Sequence, residues 1–105
     1  MAKKKKAVKL SLLAESTIWL TKVNGNPPAP GSSYTPPVEF EGVQNVINPV
    51  VVCTLIGPVP TDTSNATLNQ SQWTKRFDSL PAGSYVFEAR LDGSPGTTGP
   101  FLFTI

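Results

Sequence analysis

Seven carboxylates, one thiol and no histidine are what this chain offers to chemistry. Acid–base catalysis needs two ionisable groups near one substrate with their pKa values pushed apart. Glu39 and Glu41 stand two apart in VEFEGV. On a strand that puts both on one face, about 6–7 Å apart. A solvated outer face produces the same pattern, and that is the role expected of them. Asp78 and Asp92 fall at turns, in FDSLPAG and LDGSPG, and Asp62 stands alone. A calcium loop is far denser in acidic residues, so the two turn aspartates are expected to shape turns. Without histidine, the usual nucleophile triads and zinc sites lack a base or a ligand. DGSPGTTG has neither the lysine nor the following helix of a phosphate-cradling loop. These residues predict no enzyme, no cofactor and no metal. Cys53 is the only cysteine and closes no disulfide within the chain; it is expected to be a small buried hydrophobe.

Chemistry of contact is more legible. Lys3, Lys4, Lys5, Lys6 and Lys9 crowd the first nine residues. From Leu10 onward four basic residues face seven acidic ones, a net of −3. The body is therefore a poor nucleic-acid surface, and any polyanion, acidic protein or nucleic acid, would meet the lysine run. Trp19, between Ile18 and Leu20, belongs either to the core of a small subdomain or to an exposed anchor. If exposed, it is the best hot-spot candidate in the chain.

The elements that hold these residues are strands. Eleven prolines and eight glycines in 105 residues leave little room for long helices. The length suits one domain. Apolar side chains recur at every second position in VEFEGV, NPVVVCTLIG, SQWTKRF, SYVFEARL and PFLFTI. NPVVVCTLIG is apolar on both faces, which predicts a central strand. PVPTDTSNATLNQ reads as a polar loop with at most a short strand. Near the N-terminus, Val8, Leu10 and Leu12 alternate with Lys9 and Ser11, and VNGN has hairpin-turn chemistry. Two short strands therefore fit residues 8–23 better than one helix. GNPPAPGSSYTPP reads as an extended, polyproline-like linker. The expected division is a basic segment and proline-rich attachment arm over 1–36, and a β-sandwich over 37–105. The basic start is followed by apolar runs too short for an export signal or a membrane span, so synthesis in the cytoplasm without membrane insertion is expected.

WTKRFDSLPAGSY carries a family resemblance. Trp73 and Phe77 would face inward, Leu80 would plug the end of the core, and Pro81 and Gly83 would turn the chain. Tyr85 would then open the next strand and bond back across the corner. With the DGSPGTTG turn and the terminal FLFTI, this resembles the bacterial immunoglobulin-like domains, found in tandem on adhesins and singly on phage particles. The resemblance covers about residues 37–105 and takes VEFEGV and NPVVVCTLIG as the first two strands. It implies an all-β, immunoglobulin-like β-sandwich with an N-terminal extension. It implies that Cys53 packs against Phe87, which stands where antibody domains have their second cysteine. Lys75 replaces an inward apolar residue of the family pattern, which implies a strand at a sheet edge. The function implied is that of a structural accessory protein of a phage virion, decorating the head or associated with the tail. Its partners would be a capsid or tail protein and, weakly, host-surface glycans. The rival reading is an adhesion or carbohydrate-binding module of a larger bacterial surface protein.

Overall fold

A computed structural model describes residues 17–46 and 49–105. It contains eight strands: β1 (Ile18–Val23), β2 (Val38–Gln44), β3 (Val51–Ile56), β4 (Asp62–Asn65), β5 (Thr67–Asn69), β6 (Gln72–Phe77), β7 (Ser84–Leu91) and β8 (Phe101–Thr104). They build two antiparallel four-stranded sheets, ordered β1-β2-β6-β5 and β4-β3-β7-β8. The fold is all-β, with the two sheets packed face to face.

Period-two alternation explains the layers. Val38 and Phe40 of β2 turn inward, as do Val51, Cys53 and Leu55 of β3. So do Tyr85, Phe87, Ala89 and Leu91 of β7, and Phe101 and Phe103 of β8. Two rings lock the sheets at the centre. Phe40 of the first sheet lies flat on Phe87 of the second, centroids 3.8 Å apart and planes within 6°. Trp73 of β6 also stacks on Phe87, centroids 6.3 Å apart and planes within 22°. Gly42 lies opposite Trp73 in the β2–β6 register. A Cβ at that position would overlap the indole and the Trp19 carbonyl, so only glycine leaves room for the buried tryptophan.

The corner between β6 and β7 carries the chain from one sheet to the other. The Tyr85 hydroxyl donates to the Pro81 carbonyl at 2.6 Å. Gly83 takes φ +150° and bonds in both directions with Ile105. A Cβ on it would come within 2.6 Å of the Pro58 ring. Leu80 is partly buried against the core and Phe77 is buried.

Several expectations are corrected. The boundary at 36/37 does not divide the fold, because Ile18–Val23 is a full member of the first sheet, paired with β2. VEFEGV and NPVVVCTLIG are therefore the second and third strands. The VNGN turn forms, with Asn24 and Gly25 both at positive φ and Val23 bonded twice to Asn26. It closes no long hairpin, since Pro27 and Pro28 have no N–H to continue a ladder. The proline-rich stretch is a strap rather than a spacer. Gly31 N–H donates to Leu102 O (2.7 Å), Thr104 N–H to Ser32 O (3.0 Å) and Tyr34 N–H to Thr104 O (2.9 Å). Ser33 thus bridges Thr104 in parallel and covers the β8 edge. Polyproline-like backbone is already extended, so it pairs at an edge without refolding.

Cys53 sits on β3 opposite Ala89 of β7, in the same sheet as Phe87, while Phe87 lies opposite Leu55. Cys53 and Phe87 both face inward as diagonal neighbours within one sheet, and the ring that meets Phe87 from the opposite sheet is Phe40. Lys75 is not on an edge strand, for β6 runs between β2 and β5. However, β5 reaches no further than Thr74, so Lys75 has a paired neighbour on the β2 side alone. Opposite Phe40, it lays its ammonium 5.6 Å from the Phe77 ring centroid, a cation–π contact that lets an inward position carry a charge. The polar stretch after β3 supplies two edge strands, β4 and β5, with the partly buried Ala66 as the point of transfer between sheets.

Candidate functional site

The carboxylates are scattered among local partners. Asp78 pairs with Arg76 at 2.7 Å and Asp92 with Arg90 at 3.5 Å, each within its own turn. Asp62 accepts from the Ser64 hydroxyl at 2.9 Å. Glu88 accepts from the Thr97 hydroxyl at 2.7 Å. Glu39 points to solvent on the outer face of β2, and its backbone is held by Asn24 on both sides. Among the described residues no three His, Cys, Asp or Glu side chains gather as a metal site would require. Burial pushes the Cys53 thiol up to about 12, opposed by the nearby positive Lys75 and assisted by Asp62. At neutral pH it is a protonated core side chain, and nucleophilic chemistry needs the thiolate.

Of the contact residues, Lys3, Lys4, Lys5, Lys6 and Lys9 lie outside the described residues. Trp19 is on the outer face of β1 and 48% exposed. That placement answers the choice between core and anchor in favour of exposure: Ile18 takes the inward position beside it and is buried. Cys53, Trp73, Phe77, Tyr85 and Phe87 are buried, Leu80 partly so, and Gly83 holds the corner. None of these structural residues opens onto the surface groove that Trp19 borders.

That groove, about 710 Å³, runs between the start of β1 and the β7–β8 connection. Thr17, Ile18 and Leu20 form one wall, Pro30 the end, and the segment from Pro95 to Phe101 the other wall. Among the described residues no ionisable side chain lines it. The second wall is held rigid from within. Thr98 Oγ1 accepts from Ala89 N–H at 3.1 Å and donates to Gly99 O at 2.9 Å. Thr97 Oγ1 donates to Glu88 and accepts from Gly99 N–H at 3.1 Å. Leu91 N–H and Thr98 N–H close the loop onto Gly96 O and Ala89 O. The two walls lie nearly eighty residues apart in sequence, so no local pattern announces the groove. A tryptophan at an outward position of an edge strand is the one signal that points to it.

A second depression lies beside Gln44, Val46, Pro49 and Leu68. A smaller one, about 320 Å³, follows the outer face of the second sheet past Ile56, Val86 and Leu102. Ile56 and Leu102 are half exposed and flank Val86 in register. Among the described residues no helix is long and apolar enough to cross a membrane. Comparison with protein-family models, curated proteins and solved structures finds no match for this chain.

Proposed function

We propose that this chain is an immunoglobulin-like sandwich serving as a non-enzymatic accessory protein of a phage virion. Its basic N-terminal segment holds it to a capsid or tail protein, and the sandwich projects. Two features support the fold reading. The sheet orders β1-β2-β6-β5 and β4-β3-β7-β8 correspond to the A-B-E-D and C′-C-F-G arrangement of immunoglobulin domains. The Tyr85–Pro81 bond resembles the corner-tyrosine bond of that fold, at the start of the strand that would correspond to F.

The observation that carries the functional reading is the Phe40–Phe87 stack. In antibody domains a disulfide between strands B and F ties the sheets together, two residues after the corner tyrosine. Here the equivalent positions hold two stacked rings, so the sandwich closes without oxidation. A module of this kind assembles in a reducing cytoplasm and acts wherever it is carried, as a virion component does. The lysine-rich front end supports attachment to an acidic protein surface. Mass spectrometry of purified particles tests it. The polypeptide is expected in stoichiometric amounts, and its absence from virions of a phage that encodes it removes the reading.

One observation favours the adhesion or carbohydrate-binding alternative. Trp19 is half exposed beside a groove whose described lining carries no ionisable side chain, a setting suited to a neutral sugar ring. Binding of purified chain to glycans at micromolar concentration, lost in Trp19→Ala, would favour it.

A further inference from the structure

Asn24-Gly25 is the only Asn-Gly pair in the chain, and such a pair carries its own chemistry. The Gly25 amide nitrogen, on losing its proton, attacks Cγ of Asn24. The N–Cγ bond forms, the Cγ–Nδ2 bond breaks, and Nδ2 leaves as ammonia with the proton that Gly25 gave up. Water then opens the ring. Cleavage at Cγ yields an aspartyl residue. Cleavage at the Asn24 backbone carbonyl yields an isoaspartyl residue, whose main chain runs through Cβ and Cγ. Glycine favours the attack because no side chain crowds its nitrogen. The other asparagines are poorer sites. Asn26 and Asn48 precede prolines, which offer no N–H, and the remaining three precede residues whose Cβ crowds the nitrogen.

The turn after β1 exposes this pair and withholds its reaction. Both residues are exposed, and a Cβ on Gly25 would meet nothing within 4 Å. Among the described residues neither Asn24 Nδ2 nor Gly25 N–H has a hydrogen-bond partner, so water reaches both. Conformation is what stands in the way. Asn24 and Gly25 have φ of 52° and 80°, the type I′ pattern, and Val23 and Asn26 close it with bonds of 2.8 and 3.1 Å. The first central residue of such a turn has ψ of about +30°, which carries the next nitrogen to the far side of the Cα–C bond from Cβ. Ring closure needs the two on the same side, with the reacting atoms about 3–3.5 Å apart. Three more bonds hold the arrangement. Asn24 N–H donates to Glu39 O at 2.9 Å, Glu39 N–H donates to Asn24 Oδ1 at 2.8 Å, and Asn26 Nδ2 donates to Asn24 O at 3.3 Å. Turning the 24–25 peptide toward Cγ breaks the last of these and the closure behind it.

We propose that Asn24 is a deamidation site held shut by this turn: it reacts only when the turn opens, and the isoaspartyl product makes the opening permanent. The two products differ in effect. An aspartyl residue leaves an oxygen in the place of Oδ1, able to accept from Glu39 N–H. An isoaspartyl residue adds one atom to the main chain of a two-residue loop. Register in a hairpin is set by loop length and turn type, so neither the Val23–Asn26 closure nor the bonds to Glu39 survive that addition. The end of β1 nearest the strap is then released from β2. This inference does not depend on what the chain attaches to.

Ageing of the full chain at mildly alkaline pH tests it, with one sample native and one in guanidinium chloride. Peptide digests are read by mass for the change of amide to acid, and for isoaspartate. Loss of the Asn24 amide should be at least about tenfold slower in the native sample, because only the locally opened fraction reacts. Equal rates overturn the proposal. Asp92-Gly93 can close the same ring, but it loses and regains water without a change in mass, so the reading is specific to asparagine. Gly25→Ala is the chemical control. In denaturant, where the fold plays no part, its methyl should slow the reaction, and an unslowed reaction places the chemistry elsewhere and overturns the proposal. Amide hydrogen exchange reads the second half. Glu39 N–H should stay protected in Asn24→Asp and exchange at least about tenfold faster in the isoaspartyl fraction separated from aged protein. Equal protection in the two overturns permanent opening.

Discussion

At the residue scale, the groups that look reactive are held for packing. Cys53 is 1% exposed. Its thiol, pushed from 9.0 to about 12 chiefly by burial, has no reason to ionise while the sandwich is closed. Iodoacetamide at about pH 8 should leave the native protein unmodified and alkylate it fully in denaturant, as followed by intact mass. The same shift fixes a pH dependence. Between the two values the unfolded chain loses its thiol proton while the folded chain keeps it, so stability falls as pH rises from about 9 toward 12 and is unaffected below. Urea midpoints at about pH 8 and pH 10.5, compared with those of Cys53→Ala, isolate the effect: the wild type should lose more on going to the higher pH. Gly42 is the converse case, a residue with no chemistry whose lack of a side chain is required. Gly42→Ala would push a methyl into the Trp73 indole and the β1 backbone. A loss of about 1–3 kcal/mol is expected from such overpacking, seen as a lower melting temperature with loss of the near-UV tryptophan signal.

At the scale of elements, the first strand and the strap decide where the domain begins. β1 covers one edge of β2, and the strap covers β8 while laying Tyr34 edge-on to Phe103 at 6.1 Å. A fragment of residues 37–105, the unit that strand punctuation suggests, lacks both. It should fail to give a cooperative thermal transition, whereas residues 17–105 should melt as one unit by circular dichroism. The difference shows what was legible. Alternation over Tyr85–Leu91 and Val51–Leu55 marks strands and their inward faces, because each side chain's burial follows from its neighbours along the same strand. The aromatic spacing from Trp73 to Tyr85 marks the corner. The pairing of Ile18–Val23 with Val38–Gln44 is a match across a proline-rich insertion, and no local pattern encodes it. Residues 25–37 read as a spacer because polyproline and strand backbones are both extended, and a sequence pattern does not show whether an extended segment is paired. Asp62–Asn65 and Thr67–Asn69 read as loop because edge strands open to solvent carry no apolar alternation. The groove beside Trp19 stayed hidden for a related reason: its walls meet only after both sheets form.

At the scale of the whole molecule, charge is divided unevenly along the chain, and the proposed function gives the two parts different work. The sandwich owes its closure to the Phe40–Phe87 stack and the rings around it. Their attraction is apolar, so added salt does not screen it. The five lysines among the first nine residues face a remainder of net −3, so the proposed attachment through them would be electrostatic. Contacts of that kind weaken steeply with ionic strength, since the Debye length shrinks from about 10 Å at 0.1 M to about 3 Å at 1 M. Stability and attachment should therefore separate in one experiment. Replacing Lys3, Lys4, Lys5 and Lys6 with alanine should leave the melting temperature within about 1 °C, because substitutions away from the core stay within about 0.5 kcal/mol. It should reduce retention on an acidic partner surface, or on virions stripped of this protein, by at least about tenfold at 50 mM salt. Wild type should approach the variant's weak binding as salt is raised toward 1 M, with no change in its melting transition. Binding that persists at 1 M salt, or that depends on Ile56 and Leu102 rather than on the lysines, would assign attachment to the outer face of the second sheet.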